Sequence, residues 1–138
     1  MLFSVDVNYI AILVAAVTNM IIGSLWYGPL FGKTWMKLSK ISKKKLAAMK
    51  KKNMTKIYFF AFLASLVTAY ILGMLIEYTG ATTMWNGIVV GFLVWLGFIV
   101  TETIGGVLWE GKSMKMFLFK VISSLVPLAV MGIILAVW

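Results

Sequence analysis

The chain has 138 residues, enough for one domain, and its apolar fraction of 62% exceeds the roughly 45–50% typical of soluble domains. It carries 13 lysines, four acidic residues, no cysteine and no histidine, which excludes disulfides, thiolate metal sites and histidine-based catalysis. The lysines are segregated from the apolar sequence, and this pattern indicates membrane topology and lipid headgroups rather than nucleic acid.

Four long apolar runs follow one another along the chain. Each approaches the roughly 20 residues that a helix needs to cross a hydrocarbon core of about 30 Å. Helices are favoured over strands, because lipid offers backbone groups no partner and the runs lack the alternation of a barrel. The sequence therefore predicts an all-α membrane protein with four transmembrane helices in a compact bundle. The expected spans are residues 8–28, 57–77, 84–109 and 114–138 of a single membrane domain, 1–138.

The lysines predict the orientation. Ten of them lie between the first and second spans, and the other three lie between the third and fourth spans or just inside the fourth. The positive-inside rule then places loops 29–56 and 110–115 in the cytoplasm and both termini outside. The expected location is the plasma or inner membrane, with multiple passes.

A helix break and a basic loop follow the first span. Gly28-Pro29 is expected to end that helix, because proline cannot continue the backbone hydrogen-bond ladder. Beyond it, apolar residues recur at three- and four-residue steps, at Phe31, Trp35, Leu38 and Ile41. An amphipathic stretch on the inner leaflet and a mobile basic loop are both open interpretations. In either case six lysines are expected to meet anionic lipid headgroups: Lys43, Lys44, Lys45, Lys50, Lys51 and Lys52.

Four tryptophans lie near the ends of the predicted helices. Amphipathic indole rings favour the headgroup level of a bilayer, and stacking on a ligand is the less favoured alternative. We therefore expect these residues to be interface anchors: Trp26, Trp35, Trp85 and Trp109.

Small residues recur at four-residue spacing, which marks contact faces where helices associate in lipid. The expected packing residues are Ala15 and Gly23 in the first span, Ala61, Ser65, Ala69 and Gly73 in the second, and Gly87, Gly91, Gly97 and Gly105 in the third. The third span has two such faces, so one is left for another subunit. A homo-oligomer is predicted, with a dimer favoured and other membrane subunits as the alternative.

A short stretch of the first span is similar in sequence to a stretch of the third span. Thr18-Asn19, Gly23, Leu25-Trp26 and Gly28 align without gaps with Thr101-Glu102, Gly106, Leu108-Trp109 and Gly111. The alignment suggests two parallel two-helix repeats about an axis along the membrane normal. Coincidence between sequences of similar composition is the open alternative.

Glu102 stands out within the third apolar run. It lies about 10 Å of helix rise from the inner end marked by Trp109, and no lysine is expected at its depth. A buried carboxylate needs a partner, and the expected partners are neutral side chains, those of Asn19, Thr101, Thr103 or Thr18. Two interpretations remain open, an ion or substrate pathway and a packing residue.

Catalysis is not expected. Glu102 and Glu110 lie about 12 Å apart along one helix, too far for a shared metal or an acid–base pair. Serine hydroxyls such as that of Ser123 have no histidine to activate them. The sequence predicts no enzyme, no metal and no cofactor.

Two segments resemble a known family. The matching positions are Asn8-Tyr9, Trp26-Tyr27, Pro29, Phe31-Gly32-Lys33, Trp35 and Glu110-Gly111-Lys112. They resemble a group of small prokaryotic four-helix membrane proteins catalogued as a domain of unknown function, over nearly the whole chain. The resemblance implies a fold and a location but no activity. Lys43, Lys44 and Lys45 stand where the family has acidic residues, so no shared partner of the loop is carried over.

Two functions are therefore compared. The first is a non-enzymatic interaction or accessory protein that acts through helix packing, as a homo-oligomer or as a subunit of a larger membrane assembly. The alternative is a small proton- or cation-coupled transporter or channel that uses Glu102.

Overall fold

The computed structural model describes residues 6–39, 44–45, 47–48 and 54–138, and these form a helical bundle. The α-helices are α1 (Tyr9–Leu25), α2 (Gly32–Ser39), α3 (Met54–Thr79), α4 (Met84–Val94), α5 (Thr101–Glu110) and α6 (Met114–Val137). Four segments are long and apolar enough to span a membrane: Tyr9–Leu30, Thr55–Thr79, Met84–Glu110 and Met114–Val137. They are called the first to fourth spans. The all-α fold with four spans is thus confirmed.

Local sequence explains where several helices begin and end. The Asn8 side chain caps α1 by accepting hydrogen bonds from the N–H groups of Ile10 and Ala11. Ser113 caps α6 in the same manner. Gly111 ends α5 in the left-handed region, with φ of 67°, which a glycine adopts without a Cβ penalty. These signals place the turn between the third and fourth spans at residues 111–113.

The tightest apolar core lies at the end of the bundle where the chain begins. Ala11, Ile76 and Leu135, from the first, second and fourth spans, all belong to one buried cluster there. This end is called the far end. The opposite end, where the first and third spans finish and α6 begins, is called the basic end because Lys112 and Lys115 lie beside it.

The third and fourth spans cross most closely at the far end. A Cβ atom placed on either Gly87 or Gly132 would fall against the backbone carbonyl of the other. One turn along, a Cβ on Gly91 would lie 2.6 Å from the Leu128 carbonyl oxygen. The two backbones therefore touch, which only glycine permits.

Two π-helical segments interrupt the spans, at Trp26–Leu30 and at Trp95–Val100. In the first, the backbone leaves helical geometry at Gly28, one residue before Pro29. The second divides the third span into α4, which packs against α6, and α5, which contacts α6 much less. In the third span only Gly87 and Gly91 are buried, both in α4, whereas nine residues of the fourth span are buried. The basic half of the third span therefore presents most of its surface outward.

The suggested two-helix repeat stays a prediction. The first span packs extensively on both the second and the fourth, whereas the third span packs mainly on the fourth. The second and third spans contact each other little. The two helix pairs are therefore packed in different surroundings.

Candidate functional site

A charged cleft opens at the basic end, between α5 and the beginning of α6. It has a volume of about 370 Å³, and the residues around it include Glu102, Gly106, Trp109, Lys112, Phe117 and Lys120. Because α5 packs loosely on α6 beyond the π-helical segment, the two helices leave this space between them. The cleft combines an apolar wall with two carboxylates and two ammonium groups, counting Glu110.

The rim of the cleft carries an ion pair. Lys112 Nζ lies 3.0 Å from Glu110 Oε2, and both side chains are about 60% exposed. Gly106 accommodates this pair, since a Cβ there would lie 3.2 Å from Lys112 Cδ. In water such an exposed ion pair contributes little to stability. Its effect on the cleft is that the charges of Lys112 and Glu110, two of the four, neutralise each other.

The other two charges lie deeper, on opposite walls. Glu102 precedes Glu110 by eight residues, about 12 Å of rise, and Lys120 follows Met114 by six, about 9 Å. Both are exposed, and in the described part of the chain neither has an oppositely charged atom within 4 Å. The expectation that no lysine shares the depth of Glu102 is wrong, because Lys120 lines the same cleft.

Of the polar partners expected for Glu102, Thr103 borders the same cleft, whereas the polar groups of the other three are bonded elsewhere. Asn19 Nδ2 donates to Ser65 Oγ over 2.8 Å, joining the first and second spans. Thr18 donates to the Val14 carbonyl oxygen within its own helix. Thr101 donates to the carbonyl of Gly97 over 2.6 Å. The structure therefore places Glu102 with lysines and an aromatic ring, and does not bring it together with Asn19 or Thr18.

The expected packing residues fall into three groups. In contact with other helices are Ala15, Ser65, Ala69, Gly73, Gly87 and Gly91, all of which are buried. Ala61 is exposed, and a Cβ on Gly23 would meet no atom within 4 Å, so neither packs as expected within this chain. The third group is Gly97 and Gly105, where an added Cβ would meet no other span.

The expected interface anchors divide into two pairs. Trp85 and Trp109 are 70% and 88% exposed, as side chains that reach a headgroup layer would be. Trp26 instead packs against the rings of Phe31 and Phe119, and its indole Nε1 is buried with no hydrogen-bond partner among the described residues. Trp35 packs edge-on to Tyr27. The break at Gly28 turns α2 back against α6, which draws Trp26 and Trp35 into an aromatic cluster.

Sequence reasoning missed this cluster and two further hydrogen bonds. The Tyr27 hydroxyl lies 3.0 Å from Ser123 Oγ, and Trp95 Nε1 donates to the Val121 carbonyl oxygen over 2.6 Å. The only available signal was the aromatic side chain itself, since a buried Tyr or Trp needs a polar partner.

The lysines expected at lipid headgroups are described in part. Lys44 and Lys45 are exposed and helical. Lys43, Lys50, Lys51 and Lys52 lie outside the described residues, as does Ile41 of the expected amphipathic stretch.

The fold and its cleft define a class, an all-helical membrane bundle of four spans with a charged recess at one end. Within that class the chain belongs to the family described as DUF1761, protein of unknown function, whose sequence profile matches residues 10–136. Comparison with curated proteins and with solved structures found no match. Membership in a family of unknown function is thus confirmed, as the resemblance implied.

Proposed function

We propose that this protein is a non-enzymatic interaction protein of the membrane, which self-associates through the basic half of its third span. Gly97, Thr101 and Gly105 recur there every four residues. Gly97 and Thr101 are exposed, and neither glycine has another span beside its Cβ position. This unpacked face is the observation that carries the proposal, because small residues let helix backbones approach closely in lipid.

The binding partner that fits this face best is a second copy of the chain. The Thr101 hydroxyl is already bonded to Gly97 within its own helix, so the face needs no polar partner. In a two-fold dimer the same patch serves both subunits, so two flat faces of glycine and threonine pack on each other. Burial within the chain is lowest for the third span, which leaves most of its surface for such a contact.

The proposal is tested by disulfide crosslinking in membranes. The chain has no cysteine, so Thr101→Cys introduces a single thiol on the face, and Val67→Cys, at an exposed position of the second span, is the control. A disulfide needs Cα atoms within about 7 Å, so oxidation should link Thr101→Cys into dimers and leave Val67→Cys monomeric. Equal crosslinking of both variants, or none at position 101, would contradict self-association. A heavier product containing another protein would instead support the alternative of a larger assembly.

The proposed orientation has loops 29–56 and 110–115 in the cytoplasm of a plasma or inner membrane, with anionic lipid near the basic loop. The one-sided distribution of the lysines supports it. A membrane-impermeant maleimide should label Thr82→Cys in intact cells and Lys37→Cys only after permeabilisation. The reverse pattern would invert the topology.

A proton- or cation-coupled transporter is the second candidate. The observation that favours it is the position of Glu102, a carboxylate that borders a cleft within a spanning helix. Glu102→Gln keeps the shape of the side chain and removes its titration. The variant should lose proton-linked uptake in proteoliposomes with its fold intact, and unchanged uptake would refute transport through Glu102.

A further inference from the structure

We infer that the cleft between α5 and α6 binds the headgroup of a zwitterionic phospholipid bearing a primary ammonium group, such as phosphatidylethanolamine. The inference concerns the cleft, which shares Gly105 with the proposed self-association face but does not require a second copy of the chain. Its volume of about 370 Å³ lies in the range of about 300–1,000 Å³ typical of small-molecule sites.

The charges around the cleft select the kind of ligand. Two carboxylates and two lysines border it, so its lining has no net formal charge and favours neither a simple anion nor a simple cation. At the rim Lys112 and Glu110 already neutralise each other. Glu102 and Lys120 remain, on opposite walls and without an ion pair among the described residues. A ligand that satisfies both must carry a positive and a negative group.

Desolvation makes such a ligand favourable. Glu102 and Lys120 lie about 12 and 9 Å of helix rise from the basic ends of α5 and α6, inside segments apolar enough to span a membrane. A charge removed from water needs a hydrogen-bonded partner of opposite sign. A phosphate next to the Lys120 ammonium and an ammonium next to the Glu102 carboxylate supply both partners in one molecule.

The surroundings of the cleft favour a lipid over a soluble zwitterion. Trp109 borders the cleft and is 88% exposed, and the nearby Leu108 is 68% exposed. Both side chains therefore place the mouth of the cleft at the level of the lipid headgroups, where a phospholipid can insert its headgroup. An indole ring is also well suited to the boundary between headgroup and hydrocarbon.

The carboxylate of Glu102 determines which kind of ammonium group the cleft prefers in its ligand. Glu102 accepts hydrogen bonds from the N–H groups of ethanolamine, whereas the trimethylated nitrogen of choline has none to donate. One charge-assisted hydrogen bond supports a preference on the order of tenfold. The site should therefore discriminate phosphatidylethanolamine from phosphatidylcholine by about that factor.

The test is native mass spectrometry of the full chain, purified in mild detergent and incubated with equimolar phosphatidylethanolamine and phosphatidylcholine of identical acyl chains. The wild type should retain the ethanolamine lipid about tenfold more. Glu102→Gln should bring the ratio near one, and Lys120→Gln should weaken retention of both lipids. Glu77→Gln and Lys115→Gln remove an exposed charge of the same sign outside the cleft and should behave as the wild type.

A second measurement uses the wild-type chain alone, so it holds even where a variant fails to fold. Retention is followed across phosphatidylethanolamine and its mono-, di- and trimethylated forms. It should fall stepwise as N–H donors are lost. Equal retention of all four lipids, a wild-type ratio near one, or a ratio that Glu102→Gln leaves unchanged would overturn the inference.

Discussion

The crossing of the third and fourth spans gives a quantitative prediction about Gly91. A Cβ at this position would lie 2.6 Å from the Leu128 carbonyl oxygen. Carbon–oxygen contacts between helices begin at about 3.3 Å, so Gly91→Ala forces the backbones apart by about 0.7 Å. Overpacking of this kind costs about 1–3 kcal/mol. The expected result is a free energy of unfolding lower by that amount than that of a control variant in which the added methyl group meets no neighbour.

Gly23→Ala is the matched control, because a Cβ there meets no atom within 4 Å. Both substitutions also gain the helix preference of alanine over glycine, about 0.5–1 kcal/mol, so the difference between the two variants isolates the packing cost. Unfolding by increasing SDS in mixed micelles, followed by circular dichroism, measures both. If Gly91→Ala is as stable as Gly23→Ala, the close approach of α4 and α6 is refuted.

Three further substitutions test single contacts, each by the same unfolding measurement. Ser65→Ala leaves Asn19 without its inter-helix acceptor and should cost about 0.6–2 kcal/mol, with Ala61→Ser, at an exposed position of the same helix, as a neutral control. Trp95→Phe keeps an aromatic ring but removes the N–H donor to Val121 and some apolar surface, and should cost at least about 0.5–1.5 kcal/mol; no loss would argue against that bond. Asn8→Ala removes the cap of α1 and should cost about 1 kcal/mol, whereas Asn8→Asp should retain most of the stability.

Hydropathy was sufficient to predict the four spans, because transfer of apolar side chains into lipid depends on composition along the chain. It could not predict the π-helical segments, since an extra residue in a helical turn leaves no signature in composition. The loose packing of α5 and the existence of the cleft follow from the π-helical segment Trp95–Val100. Neither could therefore be predicted from the sequence.

The presence of Lys120 beside the same cleft as Glu102 could have been predicted in part from the sequence. The start of α6 near Met114 was expected, and counting six residues from it gives a depth close to that of Glu102. Counting residues from the basic end of each helix would therefore have predicted that Glu102 and Lys120 lie at a similar depth. What the sequence could not supply was the angle between α5 and α6, which decides whether two residues of equal depth border one space.

The positions of Trp26 and Trp35 in the aromatic cluster also could not be predicted from the sequence. The Gly28-Pro29 pair indicates that the first helix breaks, but a break does not fix the direction in which the chain continues. In the structure α2 returns toward α6, so Phe119 is within reach of Trp26. Only tertiary packing decides between an indole in the headgroup layer and one against another helix.

The π-helical segment Trp95–Val100 makes chain length itself a determinant of the cleft. A π-helical turn holds about one residue more than an α-helical turn, so deleting one residue here would return the third span to a regular α-helix without rotating Glu102 far from its present direction. Without this interruption α5 would continue the course of α4, which packs closely on α6, and the cleft would narrow, while Trp95 would keep its bond to the fourth span. The number of residues between Trp95 and Glu102 thus sets the width of the cleft, which substitution of either residue alone would leave unaltered.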